Sequence, residues 1–191
     1  MKPEHVLILP GWQNSGPDHW QSHWERQHGY QRVQQHDWMQ PRRGDWIARL
    51  EDVVLSTDGP LVLVAHSLGC ILVAAWASLS SSTHRIRGAL LVAPGDTERP
   101  ELRDPLPSWA PIVRQPLPFA SVLVGSRNDP YCRFERAQGL AHDWGSRFVD
   151  LGACGHINAD SGLADWAQGH ALLLDWIEPP FRHNPNPLDS W

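Results

Sequence analysis

The sequence predicts an α/β domain built on a parallel, doubly wound sheet of about six strands with helices on both faces. Three observations lead there. Continuous apolar runs of β-type residues recur along the chain, as expected for strands buried on both faces. They are His5-Val6-Leu7-Ile8-Leu9, Leu61-Val62-Leu63-Val64-Ala65, Gly88-Ala89-Leu90-Leu91-Val92-Ala93 and Phe119-Ala120-Ser121-Val122-Leu123-Val124. Stretches of helical periodicity separate them, and that alternation is the signature of parallel sheets with right-handed crossovers. The residues able to do chemistry, Gly11-Trp12, Ser67, Asp129 and His156, all follow a strand. In such sheets ligands bind at the carboxyl ends of strands.

Each element has a local reason. The first strand stops at Pro10-Gly11-Trp12. Ser15-Gly16-Pro17-Asp18 reads as a helix start, with proline pre-set for the first turn and an acid beside it. Trp20 and Trp24 then share one helix face. Tyr30 to Asp37 is a weak strand candidate, with Val33 its only aliphatic residue. Asp45 can cap a second helix carrying Trp46, Ile47, Leu50, Val53 and Val54 on its apolar face, ended by Thr57-Asp58-Gly59-Pro60. A further helix is expected through Phe134, Ala137, Leu140 and Trp144, and a short last strand over Arg147 to Leu151. A final helix is expected from about Leu163 to Ile177, with Leu163, Trp166, Ala167, His170, Leu174 and Ile177 on one face. Between Pro94 and Pro118 lie seven prolines, which exclude a regular helix or central strand. This segment reads as an irregular flap over one edge of the site, with Trp109 as a pocket wall, or else as a plain surface excursion. One domain is expected over 1–178, followed by a Pro- and Asn-rich tail over 179–191.

Composition narrows the function. The chain has 191 residues, enough for one sizeable core. A net charge of −5 with no basic block argues against nucleic acid or an anionic membrane as partner. No apolar run reaches the roughly 18 residues that a membrane span needs. The start of the chain carries no leader pattern, so a cytoplasmic protein is expected. Cys70, Cys132 and Cys154 are too few and scattered for a disulfide framework or zinc site, and free thiols are expected. His19 and His23 stand four apart, a metal-compatible spacing. Trp20 occupies the place of the glutamate in H-E-x-x-H and no third ligand stands out, so a helix face is the reading and no metal is expected. Neither a P-loop nor a G-x-G-x-x-G after a strand is present, so no nucleotide cofactor is expected. The 11 tryptophans are expected to fill the helix–sheet interface, with a few at a pocket.

The stretch Leu61 to Leu72 has the grammar of a nucleophile elbow: strand, serine at a sharp turn, helix. Gly69 supplies the small residue after Ser67, while Ala65 stands where the G-x-S-x-G pattern has its first glycine. A serine at a strand–helix junction also makes a plain N-cap, so the rest of the chain must decide. A serine hydroxyl needs an adjacent base, and the base needs a group that fixes its tautomer. Ser67, Asp129 and His156 follow the order Ser…Asp…His, each in a loop after a strand. His66 is the rival base and Asp96 the rival acid. Leu68 and Trp12 are the backbone N–H donors expected to hold an oxyanion.

These residues carry a likeness. The chain resembles the small serine hydrolases grouped with retinoblastoma-binding protein nine and its bacterial relatives, a compact branch of the α/β-hydrolases. The shared segments are Leu9-Pro10-Gly11-Trp12, Ser15-Gly16-Pro17-Asp18-His19-Trp20-Gln21-Ser22 with Trp24-Glu25, His66-Ser67-Leu68-Gly69, Ser126-Arg127-Asn128-Asp129-Pro130 and Gly155-His156-Ile157-Asn158. The resemblance implies a reduced α/β-hydrolase fold that lacks the first two strands of larger relatives and has no large cap domain. It implies a Ser67, Asp129, His156 triad, no cofactor, and hydrolysis of small or medium esters or amides through an acyl-enzyme. A binding or regulatory protein that keeps the fold without turnover is the alternative, and a transferase or thioesterase with the same triad is a weaker one. The expected partner is a small acyl substrate; a protein partner or a homo-oligomer stays open.

Overall fold

The computed structural model describes residues 1–177; the expected tail over 179–191 and the side chain of Ile177 lie outside the described residues. Six parallel strands form one sheet in the order β2-β1-β3-β4-β5-β6. They are β1 (Val6–Leu9), β2 (Gln31–Arg32), β3 (Leu61–His66), β4 (Ile86–Val92), β5 (Ser121–Gly125) and β6 (Arg147–Asp150). The chain winds outward from β1 to β2, then returns across β1 to β3 and runs the other way. The winding reverses between β1 and β3, and at such a switch point the loops leaving the two strands diverge and open a crevice.

Strand alternation sorts the core into two layers. Leu7, Leu9, Leu63, Ala65, Leu91 and Leu123 face one side, covered by α2 (Arg43–Ser56), α3 (Leu68–Ala77) and α5 (Phe134–Trp144). Val6, Ile8, Val62, Val64, Leu90 and Val122 face the other. That side is covered by Trp20 and Trp24 of α1 (Trp20–His28) and by Trp166 and Leu173 near the C-terminal helices α6 (Ala167–Ala171) and α7 (Leu174–Ile177). Trp20 and Trp24 meet edge to face at 4.6 Å, as their spacing on one helix face requires.

Several boundaries differ from the sequence expectation. Helix α1 begins at Trp20 because Gly16 to His19 close a turn first, with His19 N–H on the Gly16 carbonyl at 3.1 Å; His19 is the N-cap. Helix α2 begins at Arg43 with Arg42 as N-cap, so Asp45 lies in the first turn and acts on the helix dipole instead of capping. Only Gln31–Arg32 of the weak second strand pairs, at the sheet edge. The single C-terminal helix is two short ones. Trp166 takes φ 39°, which stops any helix entering from Leu163. Its ring then folds back onto Gly169, where a Cβ would sit 2.3 Å away.

The proline-rich segment holds one short helix, α4 (Pro100–Arg103). Trp109 is fully buried and is not a pocket wall. It stacks edge-on against Trp46 at 5.3 Å, donates its indole N–H to Pro41 O at 2.8 Å, and its own carbonyl accepts from Thr97 Oγ1 at 2.8 Å. Trp109 thus anchors the flap to α2, which frees Gly95, Thr97, Leu102 and Leu106 to line the pocket above the sheet. Trp109→Ala is expected to cost about 3–5 kcal/mol of stability by urea unfolding. A loss no larger than an ordinary surface substitution gives would show that the flap is not tied to the core.

Candidate active site

Strand β3 ends at His66 and α3 begins at Leu68, so Ser67 alone makes the turn. It does so at φ 54° and ψ −118°, a conformation that costs a non-glycine residue on the order of 1–3 kcal/mol. Its surroundings hold it there. Ser67 N–H donates to Val92 O at 3.0 Å. A Cβ on Gly69 would sit 2.3 Å from Leu9 O, and one on Gly11 2.8 Å from Ser67 Cβ, so both positions require glycine. Ala65 is an ordinary strand residue paired with Leu9 and Leu91, and its methyl joins the core; the first glycine of the pattern is not needed here.

The structure brings Ser67, His156 and Asp129 together. His156 Nε2 lies 2.9 Å from Ser67 Oγ. Its Nδ1 lies 2.9 and 3.0 Å from the two Asp129 oxygens. A carboxylate accepts, so Nδ1 carries the proton and the Nε2 lone pair faces the serine hydroxyl. The Asp129 side chain is 3% exposed, and its Oδ1 also accepts from Tyr131 N–H at 2.8 Å. The rival acid Asp96 is engaged elsewhere, 3.2 Å from Arg136. The rival base His66 points away from Ser67 and donates through Nε2 to His156 O at 2.9 Å.

Other residues, given no role at the site from sequence, set this geometry. Ser126 Oγ accepts from Cys154 N–H at 2.9 Å, and Asn128 Oδ1 from Gly155 N–H at 2.7 Å, which stitches the loop after β5 to the loop carrying His156. Trp20 donates its indole N–H to Ile157 O at 2.8 Å. Gln21 spans the switch point, donating to Leu9 O at 3.3 Å and Val64 O at 3.1 Å. Arg32 ties the loop after β1 through Asn14 Oδ1 at 2.7 Å and Ser15 O at 2.9 Å. Spacing alone could not show these roles, since each depends on a contact across the fold.

Gly11 brings the loop after β1 against the elbow, so Trp12 lies beside Ser67 and Leu68 on the pocket wall. The backbone N–H groups of Trp12 and Leu68 donate to no other group among the described residues. The pocket over Ser67 has a volume of about 290 Å³. Burial raises the thiols of Cys70 and Cys132, the latter to about 12, so neither competes as nucleophile. All three cysteines are free. His19 and His23 do not form a ligand pair, since His19 Nδ1 accepts from Gln21 N–H at 3.1 Å as the cap of α1. No group of three possible metal ligands occurs among the described residues.

Burial lowers His19 to about 3, with Arg32 and His156 adding to the effect, and lowers His66 well below its ordinary value. Both are neutral in the folded protein, and both would take up protons on unfolding below their ordinary value of 6.5. Stability is therefore expected to fall as pH drops from 6.5 toward 3, by up to about 1.4 kcal/mol per pH unit for His19, with His66 acting in the same direction. Urea unfolding of wild type and His19→Asn across this range checks it, with the shallower slope expected in the variant.

The family model described as serine hydrolase matches residues 6–175. No curated protein matches the chain. Among solved structures, a protein described as a YdeN-like hydrolase from Pectobacterium atrosepticum is 33% identical at a TM-score of 0.78, over 89% of this chain and 88% of that one. The ydeN gene product of B. subtilis is 21% identical at a TM-score of 0.71, over 89% and 96%. A hydrolase of the α/β superfamily from Xanthomonas campestris is similar in fold, at 20% identity and a TM-score of 0.57, over 88% and 98%. The six-stranded sheet is thus an α/β-hydrolase fold without a large cap, and the chain belongs to the serine hydrolase family.

Proposed function

We propose that this protein hydrolyses small or medium uncharged esters or amides through an acyl-enzyme on Ser67. The hydrogen-bond chain from Ser67 through His156 to Asp129 carries this reading. His156 takes the proton of Ser67 as Oγ attacks the acyl carbonyl, then gives it to the leaving group. Asp129 fixes the tautomer and stabilises the imidazolium. The Leu68 and Trp12 amides receive the oxyanion at the start of α3, where the helix dipole favours negative charge. Water activated by His156 then releases the acyl group. No cofactor enters these steps.

Two features support the substrate class. The cavity of about 290 Å³ sits at the small end of ligand pockets. Its lining contains no Lys, Arg, Asp or Glu among the described residues, so a charged acyl group would meet no counter-ion. A second groove bordered by Tyr131, Cys154, Gly155 and Asn158 also meets His156 and would take the leaving group. The shared segments named above further support a place in the branch grouped with retinoblastoma-binding protein nine. Three free thiols suit a reducing, cytoplasmic location. No described helix is long and apolar enough to cross a membrane.

A fluorophosphonate probe is expected to label the wild type, and Ser67→Ala to abolish both labelling and turnover of short p-nitrophenyl esters. Well-folded wild type that neither labels nor turns over would favour the binding-protein alternative instead. Asp129→Asn is expected to lower kcat by about 10⁴-fold, as loss of the correct tautomer does. Gly11→Ala pushes the oxyanion loop off the elbow, and kcat is expected to fall about 10²–10³-fold with the fold retained by circular dichroism. A Gly11→Ala enzyme with full kcat would remove Trp12 from the oxyanion site.

A further inference from the structure

His19 has a donor that the fold leaves unused. The residue is 4% exposed, and Nδ1 accepts from the Gln21 amide at the start of α1. That bond leaves the proton on Nε2. Nε2 is buried and has no hydrogen-bond partner among the described residues. Leaving a buried donor unmade costs as much as desolvating it, so folded proteins rarely do so without a use. The ring lines the pocket over Ser67 and sits edge-on to His66 at 4.6 Å, and His66 in turn packs 4.8 Å from His156.

Several neighbouring polar groups on the wall are already committed. Thr97 Oγ1 donates to Trp109 O, His66 Nε2 to His156 O, and Asn14 Oδ1 accepts from Arg32 and from Ser15 N–H. His19 stands on the same loop as the Trp12 amide, away from the leaving-group groove, so it addresses the acyl part of a substrate. Burial also keeps the ring neutral, which suits an uncharged acceptor rather than a carboxylate.

Resting on the hydrolase reading above, we propose that His19 determines specificity: its Nε2–H donates to an uncharged oxygen on the acyl chain, so preferred substrates are oxygenated short acyl groups, hydroxy- or alkoxy-acyl, over plain alkanoyl groups. Nε2 lies just under the pocket surface, so a substrate oxygen meets it after a small shift of the pocket wall on binding, and it gains a bond that replaces no existing one.

The test compares kcat/KM for p-nitrophenyl 3-hydroxybutanoate and 4-methoxybutanoate with that for the pentanoate, each divided by its hydroxide-catalysed rate. Wild type is expected to favour at least one oxygenated ester by about tenfold, the yield of one added hydrogen bond. His19→Asn and His19→Ser keep a good N-cap for α1 but withdraw the ring donor. In whichever of them folds, the preference is expected to fall to about one. A wild-type preference near one for both esters, or one that survives in a folded variant, overturns the proposal. Fluorophosphonate labelling of the same wild-type sample separates the two readings. Labelling without discrimination defeats only the His19 assignment, whereas no labelling and no turnover defeats the hydrolase reading itself.

Discussion

The close approach of two backbones governs this structure. The end of β1 passes so near the elbow that Gly11 and Gly69 have no room for a side chain, and Ser67 is pressed into a positive φ between them. That contact places a serine hydroxyl, the first amide of α3 and the loop after β1 within one crevice. It exists because the sheet reverses its winding between β1 and β3, where no helix crosses over to fill the gap. Gln21 fills it instead, bonded to the carbonyls of Leu9 at the end of β1 and Val64 within β3.

Strain at Ser67 is useful only if the histidine arrives in register. The His156 loop follows an edge strand and so needs outside support. Ser126 and Asn128 fasten it from the β5 side, and Trp20 and His66 fasten its carbonyls from the α1 side. The geometry of the Ser67, His156 and Asp129 chain is thus held by side chains from three separate segments. Such positioning costs less reorganisation during reaction than a mobile loop would.

Most of the fold was legible because buried parallel strands advertise themselves as apolar runs and their turns fall at Gly, Pro and Asp. The order of Ser67, Asp129 and His156 was legible for the same reason, since each follows such a run. What stayed hidden depended on contacts. Pro17 looked like a helix start, but a turn closing at His19 moved the start to Trp20. Asp45 looked like a cap and proved a first-turn residue. Trp109 was read as a pocket wall, whereas its indole N–H finds a carbonyl in the core. Periodicity could not reveal the break at Trp166, which arises from its ring folding onto Gly169. His19 was read, with His23, as part of a helix face; its cap bond shows that it stands at the N-cap and which nitrogen carries the proton.

The most direct measurement is rapid-quench mass spectrometry of the enzyme mixed with excess p-nitrophenyl butanoate, with peptide mapping of the adduct, in wild type and His156→Gln. A burst of one nitrophenol per chain is expected in wild type, with the butanoyl group on the peptide containing Ser67, and no burst in the variant. A butanoyl group found on Cys154 or elsewhere, or turnover that proceeds without any acyl adduct, would contradict an acyl-enzyme on Ser67.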